Sequence, residues 1–586
     1  MTMEDSKTIR KSCDFCYRRK IKCDRRKPCC SHCITYNIDC TFTAPSRKAR
    51  PKKRRNCSNI EGANNIQGHM RQLEAMMQQL TDDLEVAEEG TGVQALPQSE
   101  RGTETTTTTL SAIIPSANGN NSTKSMALPP REHVLPIIQI YLKDFNAVLP
   151  LFDAKALLQL VHNCYNVGPL QRDPAAWAAI NVVLALAQRH TPVNSHNVPS
   201  SAECINRAES VLSTVMLGDI QLLNVQVLVG MVMLLQASHD LQPSLILIAT
   251  VMRLAHAIGL HDRTYSAHLD IVQARQRAHV FWLAYILDKD LSLRTKQPSI
   301  QIDDDINLEL PSPTAIEHQI GDWSGANDSG IESGIITTAD GTAKMNYFVT
   351  RIQLAVIEGG VYDYLYSTRS QKRSPNERSH ALRSVACALQ QWKASIPSEF
   401  SASAGIMRVP SGMLQFLGAL HSTTLACTTI INQAHAWDAE WVASLRRYGR
   451  QGIVPRLPPQ WEAVVDEARD LLVLLGVLGV TDCWNFWTTG CTYMTAMVIL
   501  TANSMHKPQH NNLALDSQLI EVGLQTVDQM VQETGNEMLK SFRATCAELH
   551  QHTQRRCVEA AIRANTVEYS SSFLATQNES EGSGHI

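Results

Sequence analysis

Residues 13–40 read CDFCYRRKIKCDRRKPCCSHCITYNIDC, and the cysteine spacing in that stretch decides the fold of the N-terminal end. Cys13, Cys16, Cys23, Cys30, Cys33 and Cys40 form C-x2-C-x6-C-x6-C-x2-C-x6-C, two near-copies of one C-x2-C-x6-C unit. A C-x2-C pair grips a metal ion from the start of a short helix, and a third thiolate six residues on closes from the far side. Six thiolates are too few for two independent tetrahedral sites, and sufficient if two of them bridge. The economical reading is two Zn²⁺ ions sharing two sulfurs. Tyr17-Arg18-Arg19-Lys20-Ile21-Lys22 lies between the second and third cysteines, so the metal-bound helix is strongly basic and points to DNA.

The charge along the chain supports that direction. Over 586 residues, 53 Lys+Arg oppose 56 Asp+Glu, but residues 1–55 alone hold 17 basic and 5 acidic side chains. The rest therefore carries 36 basic and 51 acidic groups, a balance of −15. A basic end supplies attraction to phosphates, and an acidic body avoids indiscriminate binding to nucleic acid. Of 16 cysteines, seven fall in residues 13–40 and nine are scattered singly, unlike a secreted disulfide framework. Met1 to Lys11 is polar, with no signal-peptide core. Apolar runs such as Leu471–Val480 stop short of the roughly 18–20 residues of a membrane span. An intracellular chain with no membrane partner is expected.

After Cys40 the connector carries Arg47, Lys48, Arg50, Lys52, Lys53, Arg54 and Arg55 with no acidic residue among them. Such a run reads as a nuclear-import address, a phosphate-gripping arm, or both. Ile66, Met70, Leu73, Met77, Leu80, Leu84 and Ala87 then alternate at spacings of 4 and 3. That pattern predicts either a short dimerising coiled coil, with Leu73, Met77, Leu80 and Leu84 at its seam, or a helix folded back on the body. A single small zinc module reads few base pairs, which favours the homodimer. Residues 88–130, with Thr105–Thr109 and Asn118–Ser122, have the composition of a disordered linker.

From residue 131 to 567 apolar residues recur at helical spacing, as in Ile246, Ala249, Val251, Leu254, Ala255 and Ile258. The stretches 134–144, 175–189, 205–216, 221–238, 245–258, 272–292, 346–366, 377–396, 414–434, 461–478, 494–505 and 515–549 read as helices. Gly321–Thr342 reads as a surface loop, and residues 568–586 as a disordered tail. The expected architecture is a small zinc-stabilised α module, two short helices around a two-zinc cluster, plus a short coiled coil, followed by a large all-α domain. Its boundaries fall at 1–45, 46–65, 66–87, 88–130, 131–567 and 568–586.

The cysteine segment resembles the DNA-binding domain of fungal Zn(II)2Cys6 binuclear zinc-cluster transcription factors over about 28 residues. Arg19-Lys20 ahead of Ile21-Lys22-Cys23-Asp24, and Lys27-Pro28 ahead of the fourth ligand, carry the resemblance with the six cysteines. It implies that Cys13 and Cys30 bridge, with Cys13, Cys16, Cys23 and Cys30 on one structural zinc and Cys30, Cys33, Cys40 and Cys13 on the other. It also implies that Pro28 fixes the turn between two metal-bound helices, and that Lys20, beside Arg19, reads guanines of a CGG triplet. Guanine O6 and N7 are acceptors suited to a lysine. Arg18 and Lys22 are placed at phosphates. Two departures stand out: Cys29 adjoins Cys30 as an alternative ligand, and Tyr17 occupies a position where the family usually has arginine.

The body resembles that family's regulatory middle-homology domain over about residues 133–315. Tyr141…Phe145-Asn146…Leu149-Pro150-Leu151-Phe152-Asp153 looks like its opening. Gly259-Leu260-His261-Asp262 with Val280-Phe281-Trp282 and Leu287-Asp288-Lys289-Asp290-Leu291-Ser292 looks like its core signature. Gln297-Pro298…Ile302…Asp305-Ile306…Leu310-Pro311 completes it. His261-Asp262 suits capping better than metal binding, Asp303-Asp304-Asp305 suits an acidic turn, and Trp282, Trp392, Trp461, Trp484 and Trp487 suit core anchors. No phosphate loop, G-x-S-x-G or H-E-x-x-H motif points to an enzyme.

These observations together predict a nuclear, sequence-specific transcription factor on double-stranded DNA; the family resemblance implies that it regulates a metabolic or secondary-metabolite pathway, and no residue selects between the two. Its helical body would receive regulation or contact co-regulators or the transcription machinery; it could enclose a small-molecule effector, since bundle interiors form pockets, but no residue names one. The competing reading is a zinc-stabilised RNA- or protein-binding scaffold. Against RNA, the basic segment lacks interleaved aromatics for stacking single-stranded bases.

Overall fold

The computed structural model describes residues 12–19, 23, 30, 33, 38–41, 126–190, 198–238, 240–311, 333–433, 438–453, 457–479 and 483–581. The chain divides between Thr109 and Leu110 into two units. The expected coiled coil, with Leu73, Met77, Leu80 and Leu84, lies outside the described residues. So do Lys20, Lys22, the basic residues 47–55 and residues 88–125 of the linker.

In the first unit one helix is described, α1 (Asp14–Arg19). Its buried hydrophobic cluster consists of Cys13, Phe15, Cys16, Cys30 and Cys33. Full burial of one large apolar side chain contributes roughly 1.5–3 kcal/mol, so a single phenylalanine cannot hold such a module together. The sulfurs must do it.

The second unit is helical and built around two apolar cores. The first gathers α2 (Arg131–Ile140), α3 (Ala154–Asn166), α4 (Pro174–His190), α5 (Ser201–Glu209), α6 (Leu212–Leu217) and α7 (Leu222–Leu235). It continues through α8 (Gln242–Ala257), α9 (Ile271–Thr295), α10 (Tyr347–Leu365), α12 (Pro375–Ser395), α13 (Ala402–Arg408) and α14 (Leu414–Ile431), the short α11 (Thr368–Gln371) linking α10 to α12 without contributing to the core. α4 and α7 are apolar nearly all round, as helices enclosed by others must be. A Cβ on Gly230 of α7 would sit 2.4 Å from Val182 of α4, so glycine sets how closely these helices cross.

The opening motif proves structural. α2 runs into a π-helical turn, Tyr141–Phe145, after which the buried Asn146 ties the chain back. Its Nδ2 donates to the Phe152 carbonyl at 2.8 Å, while its Oδ1 accepts from the Phe152 N–H at 2.9 Å. Asp153 then caps α3 by accepting from the Ala156 N–H at 2.9 Å.

The second core is formed by α14, α15 (Ala439–Gln451), α16 (Trp461–Leu478), α17 (Cys483–His506), α18 (Leu513–Thr534) and α19 (Glu537–Glu581). A buried ion pair, Arg469 Nε to Asp516 Oδ1 at 2.6 Å, crosses it between α16 and α18. Residues 411–431 satisfy the length and apolarity of a membrane span, with a mean hydropathy of 1.2. Counting uninterrupted apolar runs misses this stretch because Ser and Thr break it. Its window is 67% buried within the protein, as a core helix requires.

The structure corrects several expectations. Residues 126–130 are seated on the body rather than disordered. The Met126 carbonyl accepts from Arg172 at 2.5 Å, that of Ala127 from Trp177 at 3.1 Å, and that of Pro129 from Tyr165 at 2.6 Å. The body is mostly helical, as expected, and among its described residues one short hairpin departs from that pattern. β1 (Ile335–Thr337) and β2 (Lys344–Asn346) pair antiparallel, with Ile336 opposite Met345 and both buried, where a surface loop was expected. β-branched Ile335, Ile336, Thr337 and Thr338 favour the strand, and Asp340-Gly341 makes the turn with Gly341 at φ +73°. The stretch 205–216 splits into α5 and α6, where the Ser210 hydroxyl donates to the Arg207 carbonyl at 2.7 Å. Gly535, at φ +63°, separates α18 from α19 within the single helix expected over 515–549. α19 then continues to Glu581, past the expected tail boundary at 568, because residues 536–581 contain neither glycine nor proline.

Candidate metal centre and nucleic-acid interface

The N-terminal cysteines converge as two overlapping groups. Cys13, Cys16, Cys23 and Cys30 bring their sulfurs within 4.8 Å of one another, and so do Cys13, Cys30, Cys33 and Cys40. Cys13 and Cys30 belong to both groups. The Cys13–Cys30, Cys13–Cys33 and Cys16–Cys30 sulfurs lie 3.7, 3.6 and 3.7 Å apart. Disulfide sulfurs would be about 2.05 Å apart. With Zn–S bonds of about 2.3 Å, the edge of a regular tetrahedron is about 3.8 Å. The sulfurs therefore stand at the separation that a shared pair of tetrahedral zinc sites demands.

Local structure explains the convergence. α1 starts directly after Cys13 and carries Cys16 on its buried face, where the Cys16 N–H points at the Cys13 sulfur at 3.4 Å. The Cys30 N–H points likewise at the Cys40 sulfur, also at 3.4 Å. Such N–H groups stabilise thiolate charge. The ends of the module are joined by Asp14 N–H to the Thr41 carbonyl at 2.8 Å and by the Thr41 hydroxyl to Asp14 Oδ2 at 3.0 Å. This clasp was not read from the sequence, although Asp14 and Thr41 flank the first and last cysteines.

The thiols differ in acidity. The Cys33 backbone N–H, ahead of the neighbouring thiols, pulls Cys30 down to about 6. Burial pushes Cys16 and Cys33 far above the ordinary thiol range. Buried sulfurs with such conflicting demands need nearby positive charge to ionise together, and a dication supplies it. Four sulfurs per metal leave no open position for a catalytic water, so the two zinc ions are structural.

Of the residues expected at DNA, Arg18 and Arg19 fall in the final turn of α1. Lys20, Lys22 and the alternative ligand Cys29 lie outside the described residues. Among the described residues, no further group of His, Cys, Asp or Glu gathers as a metal site. Asp262 caps the turn Arg263–Ser266 by accepting from the Thr264 N–H at 2.9 Å. His261 stacks on His256 at 4.1 Å, and Gly259 bends the chain between them at φ +71°. Asp303, in the acidic turn, accepts from the Tyr285 hydroxyl at 2.9 Å and pairs with Lys289 at 2.9 Å. Trp282, Trp392 and Trp461 are buried core residues.

Comparison with known proteins agrees with this geometry. The model for the fungal Zn(2)-Cys(6) binuclear cluster domain matches residues 11–49, and that for the fungal specific transcription factor domain matches residues 138–394. An ABC-transporter-regulating transcription factor of Aspergillus oryzae is 28% identical, covering 93% of this chain and 73% of that protein. Its namesake in Aspergillus fumigatus is 27% identical over 92% of this chain and 72% of its own length. The Fusaridione A cluster transcription factor fsdR of Fusarium heterosporum is 25% identical over 72% of this chain and 77% of its own. With its cysteine groups at zinc spacing, a basic helix on the knot and a helical body behind, this chain belongs to the fungal Zn2Cys6 DNA-binding transcription factors.

Proposed function

We propose that the chain acts in the nucleus as a sequence-specific regulator whose zinc module docks on CGG-type triplets. Cys13 and Cys30 bridge the two zinc ions, Cys16 and Cys23 complete one site, and Cys33 and Cys40 complete the other. Lys20, with Arg19 beside it, meets guanine O6 and N7, while Arg18 and Lys22 take phosphates. Arg47, Lys48, Arg50, Lys52, Lys53, Arg54 and Arg55 serve nuclear import and phosphate attraction. Residues 66–87 pair two chains into a homodimer through Leu73, Met77, Leu80 and Leu84, setting the spacing of two half-sites. The body, residues 131–567, receives regulation or contacts co-regulators.

One observation carries this reading. Two four-sulfur groups share Cys13 and Cys30 and fasten a helix that ends in Arg18-Arg19. Similarity to an ABC-transporter-regulating transcription factor and to the Fusaridione A cluster transcription factor supports a metabolic or secondary-metabolite target.

Quantitative gel shifts on CGG-containing and scrambled duplexes test it. Lys20→Ala should cost on the order of 1–3 kcal/mol on the CGG probe and little on the scrambled one. Arg54→Ala should weaken both probes equally and reduce the salt slope by about one. Equal losses on both probes for Lys20→Ala would remove its role as reader.

A further inference from the structure

One ridge of the helical body runs against the acidic character of the rest. Residues 364–383, which lead from the end of α10 through α11 into α12, hold five Lys and Arg against one Glu. Arg369, Lys372, Arg378 and Arg383 are exposed, and Arg373 is half-buried. Lys296, exposed just past α9, reaches the same ridge, its Nζ over the Tyr366 ring and 5.0 Å from the centroid. The Arg373 guanidinium lies over the Tyr364 ring in the same way, at 4.8 Å. Stacking on a ring holds a cation in place without neutralising it. Among the described residues none of these cations forms an ion pair, whereas Arg294 of α9, Arg351 of α10 and Lys393 of α12 all do.

Two of the carboxylates beside the ridge serve as helix caps. Glu377 Oε2 accepts from the Ser374 N–H at 2.9 Å at the start of α12. Asp438, whose charge reaches Tyr366, accepts from the Trp441 N–H at 2.9 Å at the start of α15. Asp363, exposed in the last turn of α10, borders the ridge. The surface next to the cations is apolar. Val356, 47% exposed, Gly360 and Tyr364 follow at intervals of four along α10 and so share one stripe. A Cβ on Gly360 would stand 3.5 Å from Val385 of α12 and 3.9 Å from Tyr364, so the glycine leaves a shallow dip between the two helices.

Charge decides between the polyanions that fit such a ridge. Duplex DNA carries one negative charge per about 1.7 Å of its axis and does not end at the ridge. Its phosphates would run on past Asp363 and over a chain whose residues 56–586 balance at −15. A short acidic segment ends within the ridge and gives its carboxylates to the lysine and arginine donors. An apolar side chain of the same segment fits the dip at Gly360.

We infer that this ridge is a docking surface for an acidic, partly apolar peptide segment of another protein, with its carboxylates at Lys296, Lys372, Arg373 and Arg378 and its apolar residue against Val356 and Gly360. The inference rests on the reading of the body as a contact for co-regulators and gives that partner its chemistry.

The test uses the full zinc-loaded chain with excess duplex DNA, which occupies the basic N-terminal module. The probe is a short fluorescein-labelled peptide of glutamates around a leucine pair, carrying a photo-crosslinker; the same peptide with glutamine for glutamate is the comparison. Anisotropy should show saturable binding that weakens with salt and is roughly tenfold tighter for the acidic peptide. Crosslinks mapped by mass spectrometry should fall within residues 353–383 and persist when the duplex is added. K372E/R378E, which reverses two exposed charges, should weaken peptide binding about tenfold, and Val356→Asp about threefold. Gel shifts of K372E/R378E on the CGG duplex should match the parent; they read DNA binding separately, so the inference can fail while that function stands. Circular dichroism identifies the folded variants, and Arg369→Glu decides if K372E/R378E does not fold. Crosslinks confined to residues 1–55, equal affinity for the two peptides, or unchanged affinity in a folded charge-reversal variant overturns the inference. Loss of the 353–383 crosslinks on adding duplex, or weaker gel shifts in K372E/R378E, would make DNA the occupant and overturns it as well.

Discussion

The zinc module and the helical body solve the same problem by opposite means. The module's described buried residues are four cysteines and Phe15, and its ends are tied by Asp14 and Thr41. The body instead buries whole helices, with Phe281, Tyr285, Phe348 and Phe400 almost fully enclosed. A small module without an apolar core borrows stability from metal–sulfur bonds, whereas a large one draws it from burial. Stability should therefore respond to metal at one end of the chain and to cavities at the other.

Chelation breaks the comparison most sharply. Structural zinc contributes about 10–16 kcal/mol in small zinc peptides, so a strong chelator should abolish binding to duplex DNA. The far-UV circular dichroism of the body should remain. Loss of the body's helical signal on chelation would refute the division of labour.

A cavity in the body should have the converse effect. Phe281→Ala removes a fully buried ring from α9 and should cost about 3–5 kcal/mol in urea unfolding, with zinc content unchanged by atomic absorption. Zinc lost in proportion to the destabilisation would contradict the independence of the two regions.

The body should also be acid-sensitive through its buried histidines. Burial holds His279, edge-on to Phe348 at 5.5 Å, down to about 4. Between that value and the ordinary histidine range near 6.5, the unfolded chain binds the proton and the folded chain does not. Stability is then full above the upper value and falls as pH drops through this window. The contribution is on the order of 2–3 kcal/mol, and melting of His279→Gln from pH 7 to 4.5 should show a shallower decline than the parent. An identical slope would assign the acid sensitivity elsewhere.

Legibility in the sequence follows the same divide. The six cysteines were readable because ligand spacing is set by metal geometry and needs no tertiary context. Bounds such as Trp461–Leu478 emerged from periodicity, but α3, α13 and α15 were missed. Each of these three begins at a capping side chain, Asp153, Ser401 or Asp438, a signal that was present and passed over. The β1–β2 hairpin was hidden inside a glycine- and serine-rich stretch, where only Asp340-Gly341 marked the turn. The clasp between Asp14 and Thr41 was equally silent, being a contact between residues of ordinary type.

Native mass spectrometry of the full chain, read together with DNA binding, tests the sharing of sulfurs most directly. The parent should carry two zinc ions. Cys40→Ala removes a sulfur found in one group only and should retain the other metal, whereas Cys13→Ala removes a sulfur common to both. Loss of both zinc ions and of duplex binding in Cys13→Ala, beside one retained zinc in Cys40→Ala, is the expected result. The same zinc content in the two variants would contradict a bridged cluster.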